Sequence, residues 1–438
     1  MPVPRILKEV FWKFPLLSEQ EKEKVYYSIK AAVRSEKVSV NQFERTDVLE
    51  KYVQQILGSP TFQDTHFKNI TSTPYKRQPG DSKIIAYYLS QMHPTPENDA
   101  WWGKGVTEWN NVSRAVPQFV DHYQPRLPGE LGFYDLRLKE NLVRQMELAQ
   151  MYGIYAFNWY YYWFDGKRLL QRPLDMYLHS TDIKFPFCLC WANESWTKAF
   201  FGSSKEVIMK QSNTVESYRQ FIVDIADYLK DKRYVEIHGK KLLTIYKPQD
   251  VPDCKNTLQY WRDYCEKHDV GELYIVGCWT SDQSDDFIAK GFDAISEFQP
   301  GAILGYCDNI NKKLPFVNEK FSGAVYSYKE IVENKVYRKN FSKKKMYHSV
   351  MPMWDNTPRR NNRGNLIYHG STPELYQSWL EDVITFNKDS DLDDNLIFIN
   401  AWNEWGEGAY LEPDKRYGYA YLDATLNALS FFRRKESR

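Results

Sequence analysis

The chain has 438 residues, more than one average domain and enough for a (β/α)8 barrel of typically about 250 residues with insertions and an appendage. Its 58 Lys and Arg against 57 Asp and Glu leave a net charge of +1, which argues against nucleic acid or an anionic membrane as the main partner, and no apolar run of about 18 residues offers a transmembrane segment. The informative bias is aromatic: 14 Trp, 32 Tyr and 24 Phe.

Residues 1–80 read as an N-terminal helical appendage and 81–438 as the main domain. Ser18-Glu-Gln-Glu opens a capped helix to about residue 35, residues 41–56 form a second, and a polar, Pro-containing connection follows at 71–81. Met1 to Arg5 leads into a charged segment instead of a signal-peptide core, so a cytoplasmic location is expected. Cys188, Cys190, Cys254, Cys265, Cys278 and Cys307 form no Cys-x-x-Cys pair and read as reduced core thiols.

From Lys83 onward strand and helix patterns alternate. Apolar segments at 84–88, 154–159, 185–191, 242–246, 273–278, 294–298, 349–353 and 396–399 are the predicted strands. Helical patterns lie between them at 136–151, 174–179, 215–230, 255–268, 284–290, 328–333 and 373–387, and one more follows at 417–432. Eight such units predict an α/β fold, a (β/α)8 TIM barrel carrying an N-terminal helical extension.

Barrels of this kind place their chemistry at the C-terminal ends of the strands. The first predicted strand is followed by a loop bearing Trp102, Glu108 and Trp109, the second ends in Trp159, Tyr160, Tyr162 and Trp163, and the third supplies Trp191, Asn193, Glu194 and Trp196. Tyr246 closes the fourth, Glu297 the sixth, and Trp354 and Asp355 the seventh. Aromatic and polar groups recurring at one end of independent strands suit sugars, whose C–H faces pack on rings and whose hydroxyls need partners. Each has a plainer reading: a Trp is more often packing, and a lone Glu108 or Glu194 holds an Arg as readily as a hydroxyl.

The last strand leads into Ala401-Trp402-Asn403-Glu404-Trp405-Gly406-Glu407-Gly408, two carboxylates three residues apart with Asn403 and Trp405 beside them. Glycosyl transfer needs such a pair, one carboxyl to donate a proton and the other to attack or support the anomeric carbon. Capping of the following helix is the alternative, but a cap needs one acid and no tryptophans.

Asn403-Glu404-Trp405-Gly406-Glu407-Gly408 with Leu411-Glu412-Pro413 resembles the Asn-Glu-Trp-x-Glu-Gly signature shared by glycoside hydrolase family 99 and the WbsX-like glycosyltransferases of bacterial polysaccharide clusters. The WbsX-like likeness is the nearer, running from about Lys83 to Leu422 through Trp101 to Trp109, Gly166 to Leu170, Trp191 to Glu194 and Trp354 to Thr357. The resemblance implies retention of anomeric configuration, with Glu407 as acid/base and Glu404 helping the sugar 2-hydroxyl attack its own anomeric carbon. Geometry alone equally allows Glu404 as direct nucleophile. Gly406 stands where the hydrolases commonly carry His, and Ala409-Tyr410 replaces a polar pair, which weakens the implied α-mannoside specificity.

The expected partner is an oligosaccharide or polysaccharide, in surface-polysaccharide or O-antigen metabolism by resemblance. A sugar-nucleotide-dependent transferase and a glycan-binding protein without catalysis are the competing readings. No Gly-rich phosphate loop or His-Glu-x-x-His occurs, and Asp389-Ser-Asp391 precedes a strand instead of following one, so neither cofactor nor metal is expected. Arg359, Arg360 and Arg363 after the seventh strand offer a site for a phosphate-bearing donor or acceptor, or salt bridges to nearby acids.

Overall fold

The computed structural model describes residues 45–59, 62–198, 206–280, 286–341, 345–360, 364–388 and 393–436. The barrel strands are β1 (Lys83–Tyr88), β2 (Ile154–Phe164), β3 (Phe187–Trp191), β4 (Lys240–Ile245), β5 (Leu273–Trp279), β6 (Ala294–Glu297), β7 (Met346–Tyr347 and Ser349–Val350) and β8 (Leu396–Ile399). All neighbours pair in parallel and in chain order. His348 splits β7, so that Met346 pairs with Ile295 of β6 while Val350 pairs with Ile399 of β8. With Ala86 of β1 opposite Ile399, the ring closes as a (β/α)8 barrel.

Period-two alternation decides what each strand residue faces. Tyr87, Asn158, Cys190, Thr244, Cys278 and Ser296 fill the lumen, linked by Asn158 Nδ2 to Thr244 Oγ1 at 3.0 Å and by Tyr87 Oη beside Cys278 Sγ at 3.4 Å. Their sequence neighbours point outward. Trp159 packs on Tyr177, and Trp191 stacks 3.8 Å from Phe221, each under a covering helix, Arg172–His179 and Val215–Leu229. Cys188, Cys190, Cys265 and Cys278 are buried free thiols.

Seven of the predicted helices are present with ends displaced by at most a few residues, from Lys139–Met151 to Ala420–Glu436. The eighth is not: residues 286–291 are turn and coil, and 281–285 lie outside the described residues. A small side sheet, Gly323–Ser327, Asn365–His369 and Trp354–Asp355, adds to the predicted elements, and it holds Trp354 and Asp355, the residues just past the predicted seventh strand. The helix predicted at 18–35 lies outside the described residues; the second appears as Arg45–Gly58. Gln55 fastens that helix to the barrel loops, donating to His122 O at 2.7 Å and accepting from Asp121 N at 2.8 Å. Residues 64–75 are stitched to the same body through Asp64 N to Arg416 O and Tyr75 N to Met151 O. Among the described residues no helix is long and apolar enough to cross a membrane.

Candidate active site

Beyond β8 the chain makes a miniature hairpin in which Asn403 and Glu404 pair with Tyr410 and Ala409. A 3-10 turn, Trp405–Glu407, joins the two arms, and Gly408 ends it in the left-handed region at φ +57°, which favours glycine. Side chains three apart eclipse in a 3-10 turn, so the spacing of Glu404 and Glu407 puts both acids on one side.

Arg359, on the short helix Thr357–Arg360 beyond β7, receives them. Its Nη2 lies 2.6 Å from Glu404 Oε2 and its Nη1 2.8 Å from Glu407 Oε1, while Nε donates to Glu108 Oε1 at 2.8 Å. Glu108 comes from the loop after β1, the neighbour of β8 on the side away from β7, at the start of the helix Glu108–Ser113, whose capping box joins Thr107 and Asn110. Side-chain exposure is 0% for Glu108, 4% for Arg359 and 6% for Glu404, but 25% for Glu407, which alone of the four reaches solvent appreciably.

Three carboxylates around one guanidinium leave excess negative charge in a buried site. Burial, then repulsion from Glu407 and Glu108, raises the Glu404 carboxyl to about 8 against the pull of Arg359. Glu407 is raised as well, again by burial first, with Arg359 and Arg360 opposing. A proton is therefore held within the pair near neutrality, as acid/base chemistry requires.

Phenols and indoles line the approach. Burial and then the Glu404 charge raise the Tyr160 and Tyr162 hydroxyls, and burial followed by Glu194 and Glu407 raises Tyr246, so all three stay neutral near these acids. From Tyr162 half-buried rings continue outward: Trp196 lies 5.0 Å from Tyr162 and Trp101 lies 6.1 Å from Trp196. Buried polar atoms without a hydrogen-bond partner stand beyond β1 and β7: both amide atoms of Gln91, Glu108 Oε2 and Trp354 Nε1.

Many of the predicted substrate contacts are internal braces. Asn403 brackets the end of β1, accepting from Leu89 N at 2.7 Å and donating to Leu89 O at 3.0 Å. Trp405 is stacked on Tyr410 at 3.8 Å and donates to Glu412, and Trp109 donates to Tyr134 O. Asn193 clasps Lys247 and Tyr218, and Glu297 accepts from Ser349 N at 3.0 Å. Trp159 and Trp191 lie under helices because their strand parity points them away from the lumen. Asp355 is fully buried against His122, Gln124 and Thr357, so it does not present an open carboxylate. Trp354 pairs in the side sheet, Trp102 ends the half-buried helix Pro96–Trp102, and exposed Glu194 lies 3.5 Å from Lys247 Nζ.

The arginine loop also differs from a phosphate site. Arg359 is turned inward onto carboxylates, Arg360 is exposed, and Arg363 lies outside the described residues. In the sequence Arg359 reads as an anion ligand and Glu108 as an arginine ligand, but 251 residues separate them and nothing local pairs the two. Of the rings on this path the sequence singles out Tyr162 and Trp196 but not Trp101, because a Trp-Trp pair looks like packing.

Residues 84–425 match the family described as Glycosyltransferase WbsX. A relative in Xanthomonas campestris pv. campestris strain B100, "Uncharacterized protein WxcX", is 42% identical over 353 residues, covering 79% of this chain and 49% of the relative. The chain thus spans about half the length of the curated relatives it matches. Among solved structures, a "Glycoside hydrolase-like protein" superposes with TM-score 0.54 at 14% identity, covering 83% of this chain and 98% of that one. The GH99 endo-alpha-mannosidase from Bacteroides thetaiotaomicron gives TM-score 0.50 at 16% identity, over 82% of this chain and 99% of that one. At such identities the structural likeness speaks for the fold.

Proposed function

The chain belongs to the WbsX glycosyltransferase family, a carbohydrate-active group, and from that premise we propose that it makes or breaks a glycosidic bond in bacterial surface polysaccharide with retention of configuration. The observation that carries this reading is the convergence of Glu404 and Glu407 on Arg359 at the mouth of the barrel. Retaining pairs lie about 5 to 5.5 Å apart, a separation that one guanidinium can bridge.

Glu407, the more exposed of the pair, is assigned as acid/base at the glycosidic oxygen: it protonates the leaving oxygen and later takes a proton from the incoming hydroxyl. Glu404, deeper and flanked by Tyr160 and Tyr162, acts at the sugar itself, either drawing the proton from the 2-hydroxyl so that it closes on the anomeric carbon, or attacking that carbon directly. Both routes need Glu404 ionised in the step it serves, so substrate binding has to leave the shared proton on Glu407. An α-mannoside is the first substrate class to test, because the solved endo-alpha-mannosidase shares the fold.

A second reading, transfer from a sugar nucleotide to a saccharide acceptor, is favoured by the family's description. Incubating the purified protein with α-linked mannose oligosaccharides, and separately with sugar nucleotides plus acceptor, separates the two. New reducing ends mean hydrolysis and elongated product means transfer, and Glu404→Gln and Glu407→Gln should silence whichever is seen. Activity surviving in both variants removes the site assignment; tight glycan binding without turnover in wild type leaves a binding protein.

A further inference from the structure

Resting on the reading of Glu404 and Glu407 as the reacting pair, we propose that Arg359 is their positioning residue, anchored by Glu108 in space that Gly406 leaves open. The guanidinium is planar and rigid, and left alone it prefers to grip one carboxylate with two parallel bonds. Here it does otherwise: Nη1 goes to Glu407, Nη2 to Glu404, and Nε is taken by Glu108 at 2.8 Å. With Nε fixed, the plane cannot swing to chelate either partner, and each acid is held on its own terminal nitrogen.

Gly406 is what admits the anchor. A Cβ there would lie 1.6 Å from Glu108 Oε1 and 2.8 Å from Arg359 Nε. Its backbone does not adopt the left-handed conformation, so the glycine supplies room and not flexibility. The four groups come from three places along the chain, the loop after β1, the helix after β7 and the hairpin after β8, so no local turn explains their meeting.

Glu108 also sets the charge. Arg359 alone would nearly neutralise one acid of the pair, but a third carboxylate on the same cation keeps a proton within it. Among the described residues, the other groups facing the pair are Arg360, on the Glu407 side, and the hydroxyls of Tyr160, Tyr162 and Tyr246, which are neutral across the working range. If the pair served packing alone, an uncompensated buried charge would be a poor choice, since apolar groups of the same volume are usually as stable or more so.

The test needs no substrate. The full chain is labelled with [13C]carboxyl glutamate and titrated by NMR in wild type, Glu108→Gln and Gly406→Ala, with Glu404→Gln and Glu407→Gln to identify the pair's resonances. In wild type a resonance of the pair should titrate above pH 7. Glu108→Gln keeps the shape and the bond from Nε while removing one negative charge, so the pair's upper titration should fall by about 1 to 3 units. Gly406→Ala, which expels Glu108, should follow it.

Restoring the charge as Glu108→Asp should return part of the shift, which a purely structural contact would not do. If the pair titrates in Glu108→Gln within about 0.3 unit of wild type, a tenth of the larger shift, the proposal is overturned. Should either glycine or glutamate variant fail to fold, Arg359→Lys decides: loss of the planar fork should separate the two titrations, and an unchanged pair overturns the idea. Because the readout is a proton and not a product, a failed glycosidase reading would show in turnover assays while leaving these titrations intact.

Discussion

Two buried carboxylate sites, at Asp355 and at Glu404, are built on opposite principles. Asp355 is over-supplied with partners: Gln124 Nε2 donates at 2.6 Å, and Thr357 N and Oγ1 donate at 3.0 and 2.7 Å. Gln118 N donates to Nδ1 of His122, so the ring's Nε2 carries the hydrogen and donates to Asp355 at 2.6 Å. Burial would raise the Asp355 carboxyl, but His122, Arg126 and Thr357 outweigh it and hold the group well below the usual range. At Glu404 the balance is reversed, with burial and two like charges prevailing over one arginine. A satisfied carboxylate is scaffold, and an under-neutralised one is poised to exchange a proton.

The strongest way to break that comparison is to remove the charge at each site. Glu404→Gln and Glu407→Gln should each lower turnover by about 10²- to 10⁴-fold or more, with thermal midpoints close to wild type. Asp355→Ala should do the reverse, destabilising the fold by about 3–5 kcal/mol by leaving donors of His122, Gln124 and Thr357 unpaired. Steady-state kinetics beside urea denaturation reads both. If Asp355→Ala folds as well as wild type, the scaffold assignment is wrong.

A pH series sharpens the contrast. Glu404 at about 8 in the folded chain, against about 4.3 unfolded, is stabilising below its unfolded pKa, and that contribution is lost as pH rises through 8. Glu412, raised to about 7 by burial, acts with the same sign. Asp355 does the opposite: its contribution is present above the ordinary Asp pKa of about 3.9 and is lost as pH falls through its lower folded value. The thermal midpoint should therefore fall between about pH 5 and 9, and Glu404→Gln should flatten that fall while leaving the acid limb alone. A midpoint that is level to pH 9 in wild type would contradict the under-neutralised site.

The same contrast shows how much the sequence could tell. The barrel was legible because buried parallel strands read as apolar runs and seven of eight helices kept their period; the turn at 286–291 and the side sheet were not, since strand pairing over a distance leaves little local trace. Glu404 and Glu407 were legible from spacing, because a three-residue repeat in a tight glycine turn has one geometry. Asn193, Asn403 and Asp355 looked like ligands because small polar groups after buried strands need partners, but the partners turned out to be Lys247, Leu89 and His122, brought in from remote segments. Strand parity would have sorted Tyr160, Tyr162 and Tyr246 from Trp159, Trp191 and Glu297, once a single lumen residue such as Tyr87 was placed.

Parity also isolates the smallest effect. Tyr162 faces the carboxylates, and its ring passes the contact to Trp196, on the two-residue strand Trp196–Thr197, and thence to Trp101. These rings are half-buried, unlike Trp191 beneath its helix, so on the proposed function they would offer a face to a sugar bound beside the bond that reacts. Trp196→Ala should weaken glycan binding by about 1 kcal/mol, roughly fivefold, and leave the rate at saturation nearly unchanged. Trp191→Ala, removing a ring stacked on Phe221 in the core, should instead cost about 3–5 kcal/mol of stability. Calorimetric titration with the oligosaccharide that serves as substrate, run beside thermal melts, distinguishes the two; equal losses of stability in both variants would return Trp196 to the core and end the aromatic path at Tyr162.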